Sequence, residues 1–257
     1  MTWVVGGRHL LCVGCVADVE VTLDFPNGTK KPGGYVQKVH KISDDIVIAF
    51  ADCIRLGFAI VESIRSEFLP KFDQRLLADP ELVASELLRF VKYQYKKRRR
   101  PRERVELLFF IRPSNCISTD FGLFKCVSPN FVLEQPVEAF DMLEIGSGFL
   151  APEYRDVIQH ASKGVVQIQM DEGDEKPTLI IPVGGLGFKW IFASAQDFEV
   201  AGISRAMQLM VMDPERVRIT DRPRIDEEFP SVATSWAELR SRIQRTGIRV
   251  TACVARA

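Results

Sequence analysis

The residues with the most chemistry to offer stand at the beginning of the chain. Thr2 follows the initiator methionine and is small, so trimming of Met1 is expected to make it the first residue. A leading threonine carries a nucleophile, its Oγ, and a base, its α-amine, in one residue. An α-amine titrates near ~7.7–8.0 and a lysine amine near ~10.4, so the former takes a hydroxyl proton at neutral pH without a histidine. Such a base needs a cation nearby to hold its pKa down and a carboxylate to orient that cation. Asp18 stands 16 residues beyond Thr2. A hairpin of residues 2–8 and 11–18, turning near residue 10, puts Asp18 opposite Thr2. Lys38 lies on an alternating stretch, 35–42, and supplies the cation; Lys41 shares that stretch.

These residues need sheets to hold them. Residues 3–7 and 10–23 are rich in β-branched and small apolar side chains and read as strands. A turn cluster covers 24–28 and continues through Pro32-Gly33-Gly34. Residues 46–51 form a short apolar run suited to a buried strand. Then the period becomes helical. Ile54, Gly57, Phe58, Val61, Ile64 and Phe68 share a face, and Pro70 marks its end. A second helix opens at Asp79-Pro80, a side-chain acceptor followed by a proline whose missing N–H costs nothing at the first helical position. Its apolar face is Val83, Leu87, Phe90, Val91 and Tyr95.

Strands are expected again at 105–111, 123–127, 131–133 and 140–145, and a third helix at 151–161. Beyond these come strands at 165–170, 178–183 and 189–193, helices at 203–212 and 235–243, and a last strand at 248–254. Helices gathered in blocks predict an α+β fold of antiparallel sheets layered with helices, not a doubly wound parallel sheet. No repeat and no long linker divides the chain, so residues 1–257 read as one domain.

Composition narrows the function. The 257 residues hold 34 Lys+Arg and 34 Asp+Glu, a zero balance that argues against a chain coating nucleic acid or an anionic membrane. With 46% hydrophobic and 26% charged residues, the chain is globular rather than disordered. No apolar run reaches the ~18 residues of a membrane span, and the start lacks a secretory pattern. Six scattered cysteines read as reduced thiols, so the expected compartment is the cytoplasm. Cys12 and Cys15 lie three apart on a strand and face opposite sides, which excludes a shared metal.

The N-terminal half resembles the proteasome β-subunit family, including the bacterial proteasome-like peptidase rings that work with a separate ATPase. The resemblance rests on Thr2-Trp3-Val4-Val5 and on Gly14-Cys15-Val16-Ala17-Asp18-Val19-Glu20-Val21-Thr22. It continues in Val36-Gln37-Lys38-Val39-His40-Lys41-Ile42, Ile46-Val47-Ile48-Ala49-Phe50-Ala51 and Ile145-Gly146-Ser147-Gly148. It covers residues 2–162; residues 165–257 diverge. It implies a four-layer αββα sandwich of two antiparallel sheets between helix layers, as in N-terminal nucleophile hydrolases. It implies Thr2 as nucleophile and base, Lys38 as the pKa-lowering cation, Asp18 as its partner, and Ser147 bonding the amine or a catalytic water. The implied reaction is peptide-bond hydrolysis through an acyl-threonine ester, with no cofactor and no metal. Polypeptide substrate is expected to add as a strand beside Val21 and Thr22. Self-association into rings and an ATPase unfoldase are the implied partners; a membrane and nucleic acid are not.

Three departures stand against that pattern. Segment 24–34 is longer than usual. Asp52, a substrate-site candidate in Ala51-Asp52-Cys53, stands where the family has a glycine whose N–H serves the oxyanion, and a carboxylate there has the wrong sign. The family's later aspartate has no clean match. The alternatives are a catalytically inactive structural subunit of the same fold, favoured by Asp52, and an N-terminal nucleophile amidohydrolase acting on a small amide.

Other signals read more plainly. Residues 89–104 hold nine Lys/Arg against Glu103, the pattern of a solvated helix end; a docking patch is the alternative. Met207, Met210 and Met212 read as core. Gly184-Gly185-Leu186-Gly187 follows a strand with no helix expected directly behind it, so a phosphate-binding loop is not expected.

Overall fold

A computed structural model describes residues 2–9, 12–25, 27–114, 121–137, 141–162, 167–169, 178–180, 186–200, 202–222, 228–248 and 254–256. In chain order the elements are β1 (Val4–His9), β2 (Cys12–Asp18), β3 (Glu20–Asp24), β4 (Lys30–Tyr35), β5 (Val39–Lys41) and β6 (Ile46–Asp52). Then follow α1 (Ile54–Ser63), α2 (Pro80–Arg98), β7 (Val105–Ile111), β8 (Gly122–Val127), β9 (Met142–Ile145) and α3 (Pro152–Ser162). The chain continues with β10 (Gln167–Gln169), β11 (Thr178–Ile180), α4 (Leu186–Gln196), β12 (Met207–Met212), β13 (Val217–Arg222), α5 (Trp236–Arg245) and β14 (Val254–Arg256).

The protein is a mixed α+β structure with antiparallel pairing throughout its named strands. One sheet has the order β13-β12-β2-β1-β9, a second β5-β6-β7-β8 and a third β14-β3-β4; β10 and β11 form a separate ladder.

Alternation along the strands sorts apolar side chains into three cores. Val4, Val13, Cys15 and Ala17 of the first sheet share a core with Val47, Ala49, Leu108 and Phe110 of the second. The opposite face of the first sheet, with Val5, Cys12, Val16 and Leu209, packs on Tyr154 and Val157 of α3 and Phe188 and Ile191 of α4. The opposite face of the second sheet, with Ile48, Phe50, Leu107 and Phe109, packs on α1, α2 and α5, and Val21 and Leu23 of β3 join that core. Burial on both faces explains why β2 and β6 read as continuous apolar runs. Gly14 is required by this packing: a Cβ there would lie 2.5 Å from the Phe188 ring.

The helices obey the expected chemistry where local signals are strong. The Asp79 carboxylate accepts from the N–H groups of Glu81 and Leu82, with Pro80 behind it. α1 continues as a π-turn over Ile64–Phe68 and a 3₁₀ turn over Leu69–Lys71, which contains Pro70 and ends one residue beyond it.

Elsewhere the structure corrects the sequence reading. Residues 189–193 lie within α4, because Phe188, Ile191 and Ala195 recur at helical spacing. Residues 207–212, expected in a helix, form β12 between β2 and β13; edge-to-edge pairing overrides the helix preference of methionine and leucine. β13 lies where no element was expected. Residues 131–133 form no strand, and only an isolated bridge joins Lys125 to Glu134. The Pro32-Gly33-Gly34 turn lies inside β4, where the register slips between Val21 and Thr22. The 35–42 stretch is not one strand: it breaks between β4 and β5, and Lys38 sits in the break. α4 opens at Leu186, directly behind Gly185, which removes the ground given against a phosphate loop; Gly184 and Gly185 lie outside the described residues. So do residues 249–253 of the expected last strand.

Candidate active site

The first hairpin brings Asp18 to the beginning of the chain, one residue out of the expected register. Val4 pairs with Ala17, and the last pair is His9 with Cys12, so the symmetry falls between residues 10 and 11 rather than on residue 10. Trp3, not Thr2, is therefore opposite Asp18. The Asp18 N–H donates to the Trp3 carbonyl at 3.0 Å, and the Trp3 N–H donates to Asp18 Oδ1 at 2.8 Å. Asp18 Oδ2 accepts from the Glu20 N–H at 3.1 Å. This side chain is fully buried and held by backbone on both sides.

Lys38 completes the group from the break between β4 and β5. Its Nζ donates to Asp18 Oδ1 at 2.8 Å, to the Glu20 carbonyl at 2.9 Å and to Thr2 Oγ1 at 3.3 Å. Three acceptors match the three N–H groups of an ammonium. Lys38 has no solvent exposure, and neither do Asp18 and Thr2. Burial lowers the Lys38 pKa from the ordinary lysine value, and the Asp18 carboxylate opposes that fall. Burial and the Asp18 charge raise the Glu20 carboxyl. Lys41, by contrast, is exposed and paired with Asp44.

Two residues that sequence reasoning did not single out fix this lysine. The Gln208 side chain accepts from the Lys38 N–H at 3.1 Å and donates to Asp221 at 2.9 Å. Gln208 lies on β12, which had been expected to be helix, so no sequence signal led to it. His40 Nε2 donates to the Gln37 carbonyl at 2.9 Å, and its ring stacks on Phe50 with 5.3 Å between centroids. Burial, the Arg65 charge and the bond to Gln37, in that order, set the His40 pKa, which falls to about 3.

The Gly146-Ser147-Gly148 segment closes over Thr2 with its glycines. The Gly148 N–H donates to the Thr2 carbonyl at 2.7 Å. A Cβ on Gly146, where φ is +83°, would lie 2.5 Å from the same carbonyl oxygen, and one on Gly148 would lie 2.5 Å from Trp3 Cβ. Ser147 itself is exposed. Trp3 is clamped beside this segment: its indole N–H donates to Glu144 at 2.9 Å, and its ring stacks on Tyr154 at 4.4 Å.

The three remaining candidates occupy the neighbourhood of β3 and the end of β6. Val21 is buried in the apolar core, and Thr22 is half-buried. At Thr22, β3 has a neighbour on both sides: Pro32 of β4 on one and Arg256 of β14 on the other. Asp52 closes β6 opposite Val105, partly exposed, with φ +72°. The next backbone N–H, that of Cys53, donates to the Arg104 carbonyl at 3.1 Å.

Thr2, Asp18 and Lys38 thus form one bonded group, in which a buried cation is anchored by a carboxylate and touches a hydroxyl. That arrangement stabilises a developing alkoxide and opposes protonation of a neighbouring amine. Cys12 and Cys15 face different cores, and burial raises both thiols, Cys12 to about 11. Among the described residues no group of three or more His, Cys, Asp or Glu could hold a metal ion. No described helix is long and apolar enough to cross a membrane.

No protein-family model matches the chain, and no curated protein matches it.

Proposed function

We propose that the chain is an N-terminal threonine hydrolase of proteasome-like design, cleaving peptide bonds through an acyl-threonine intermediate. The observation that carries this is the Lys38 ammonium, 3.3 Å from Thr2 Oγ1 and 2.8 Å from Asp18 in a fully buried setting. A buried lysine costs several kcal/mol unless paired and fully bonded, so a merely structural residue at this position would more simply be apolar.

In this reading Met1 is removed and the Thr2 α-amine becomes the base. The amine takes the Oγ proton, and Oγ attacks the peptide carbonyl while Lys38 favours the developing negative charge. The C–N bond then breaks, and the new ammonium returns its proton to the leaving amine. Water, positioned near the exposed Ser147, attacks the ester and frees the acid and Thr2.

The fold in this reading is the four-layer αββα sandwich. It is supported by the core shared between the five-stranded and four-stranded sheets and by the helices that back the outer face of each. Ring assembly, polypeptide substrate and an ATPase unfoldase belong to the same reading.

Asp52 favours a second reading, a structural subunit without turnover, because its carboxylate ends the strand expected to serve the oxyanion. Intact mass and fluorogenic peptide turnover separate the two. Loss of one methionine mass together with cleavage supports the hydrolase. A retained Met1, which leaves Thr2 without a free amine, supports the structural subunit.

A further inference from the structure

A peptide that adds as a strand to β3 needs a free edge, and the chain itself fills one. β14 pairs antiparallel with β3: Val254 with Asp24, Ala255 with Leu23 and Arg256 with Thr22. The other edge belongs to β4. β14 also lies against α1, which opens two residues after Asp52. It therefore occupies the edge of β3 along which substrate is expected to add. Its direction is equally specific. From Val254 to Arg256 it advances from Asp24 toward Thr22, hence toward Glu20, whose carbonyl holds Lys38 Nζ. A peptide whose carbonyl is attacked by Thr2 must run N to C toward that site on its acyl side. β14 has that polarity.

We propose that β14 is a displaceable resident of the polypeptide cleft, bound in the polarity of the acyl half of a substrate, so that the cleft opens only when this strand leaves β3. The ligand class is an extended polypeptide, recognised mainly through backbone hydrogen bonds along Thr22–Asp24. This rests on the hydrolase reading for its identification of the cleft.

Alternate residues of an antiparallel strand direct their N–H at the partner, so one of Val254 and Ala255 does so toward β3. Proline removes that donor and disfavours strand geometry. The experiment uses the full chain carrying Thr2→Ala, with Val254→Pro and Ala255→Pro added singly and together. The probe is a fluorescent peptide with the sequence of residues 248–257 and Cys253 replaced by serine, followed by anisotropy. Binding at least tenfold tighter to a folded proline variant than to the parent is expected. So is hydrogen exchange within the Thr22–Asp24 amides that is faster in the variant and slowed again by the peptide. Equal binding to parent and variants, or none to any folded variant, overturns the proposal. Failure of every proline variant to fold overturns it too, since β14 is then a structural strand. Thr2 is absent from this assay, so its outcome is independent of whether Thr2 is a nucleophile.

Discussion

The Gly148 N–H donates to the carbonyl of Thr2 at 2.7 Å, joining the start of the chain to a turn nearly 150 residues away. This bond, with the close approach of Gly146 to the same carbonyl, fixes the backbone of the residue whose hydroxyl meets Lys38.

Gly146→Ala therefore tests the fit around Thr2. The new Cβ would adopt a φ of +83° and collide with the Thr2 carbonyl. A stability loss of about 2–3 kcal/mol is expected from strain and overpacking together. A urea titration measures it. Ser147→Ala leaves that backbone unchanged and is expected to shift the midpoint little.

Removing the buried cation should cost more than removing the whole pair. Lys38→Met leaves Asp18 buried without its counter-charge, and a loss of about 3–5 kcal/mol is expected. Adding Asp18→Asn should recover part of it. A double-mutant cycle in urea, with coupling well above 1 kcal/mol, is the expected result.

His40 gives the acid side of the stability curve a defined window. Its folded pKa, about 3, lies below the ordinary value of 6.5, so below pH 6.5 the unfolded chain takes up a proton that the folded chain refuses. The contribution is complete above pH 6.5 and is lost as pH falls toward 3. Arg65 and the bond to the Gln37 carbonyl are the groups that act on this ring. His40→Gln should flatten the pH dependence of the thermal midpoint between pH 6.5 and 4 relative to wild type.

Asp52 has φ +72°, a conformation that glycine adopts without strain. Asp52→Gly relieves about 1 kcal/mol of backbone strain and removes a carboxylate, with the contact it makes, from the end of β6. In the hydrolase reading it also speeds acylation of Thr2. A thermal scan and the acylation rate check the two parts separately.

The sequence made the bonded group legible because its signals were short-range or of fixed spacing. Hairpin spacing brings Asp18 to within one residue of its place, Lys38 is legible as the cation although its stretch breaks between β4 and β5, and the cap at Asp79 follows from local chemistry. What was missed depends on pairing partners distant in the chain. Gln208 meets Lys38 only because β12 inserts beside β2, which no local periodicity reveals. Methionine-rich 207–212 has helix preference, and burial between two strands overrode it. Residues 189–193 fall within α4 because Phe188, Ile191 and Ala195 bury one helical face. The Gly-Ser-Gly segment was noticed for its hydroxyl, whereas the contacts to Thr2 come from the flanking glycines.

In the hydrolase reading Lys38, held by Asp18, activates Thr2 Oγ once the α-amine is free. The most direct measurement is the rate at which a peptide epoxyketone modifies the processed protein, with the adduct located by peptide mass mapping, in wild type and in Lys38→Met. An adduct on Thr2 in wild type is expected, with a rate at least about 100-fold lower in the variant, the scale set when an electrostatic contact to the nucleophile is lost. An adduct elsewhere, none in the processed wild type, or equal rates in the two proteins would contradict it.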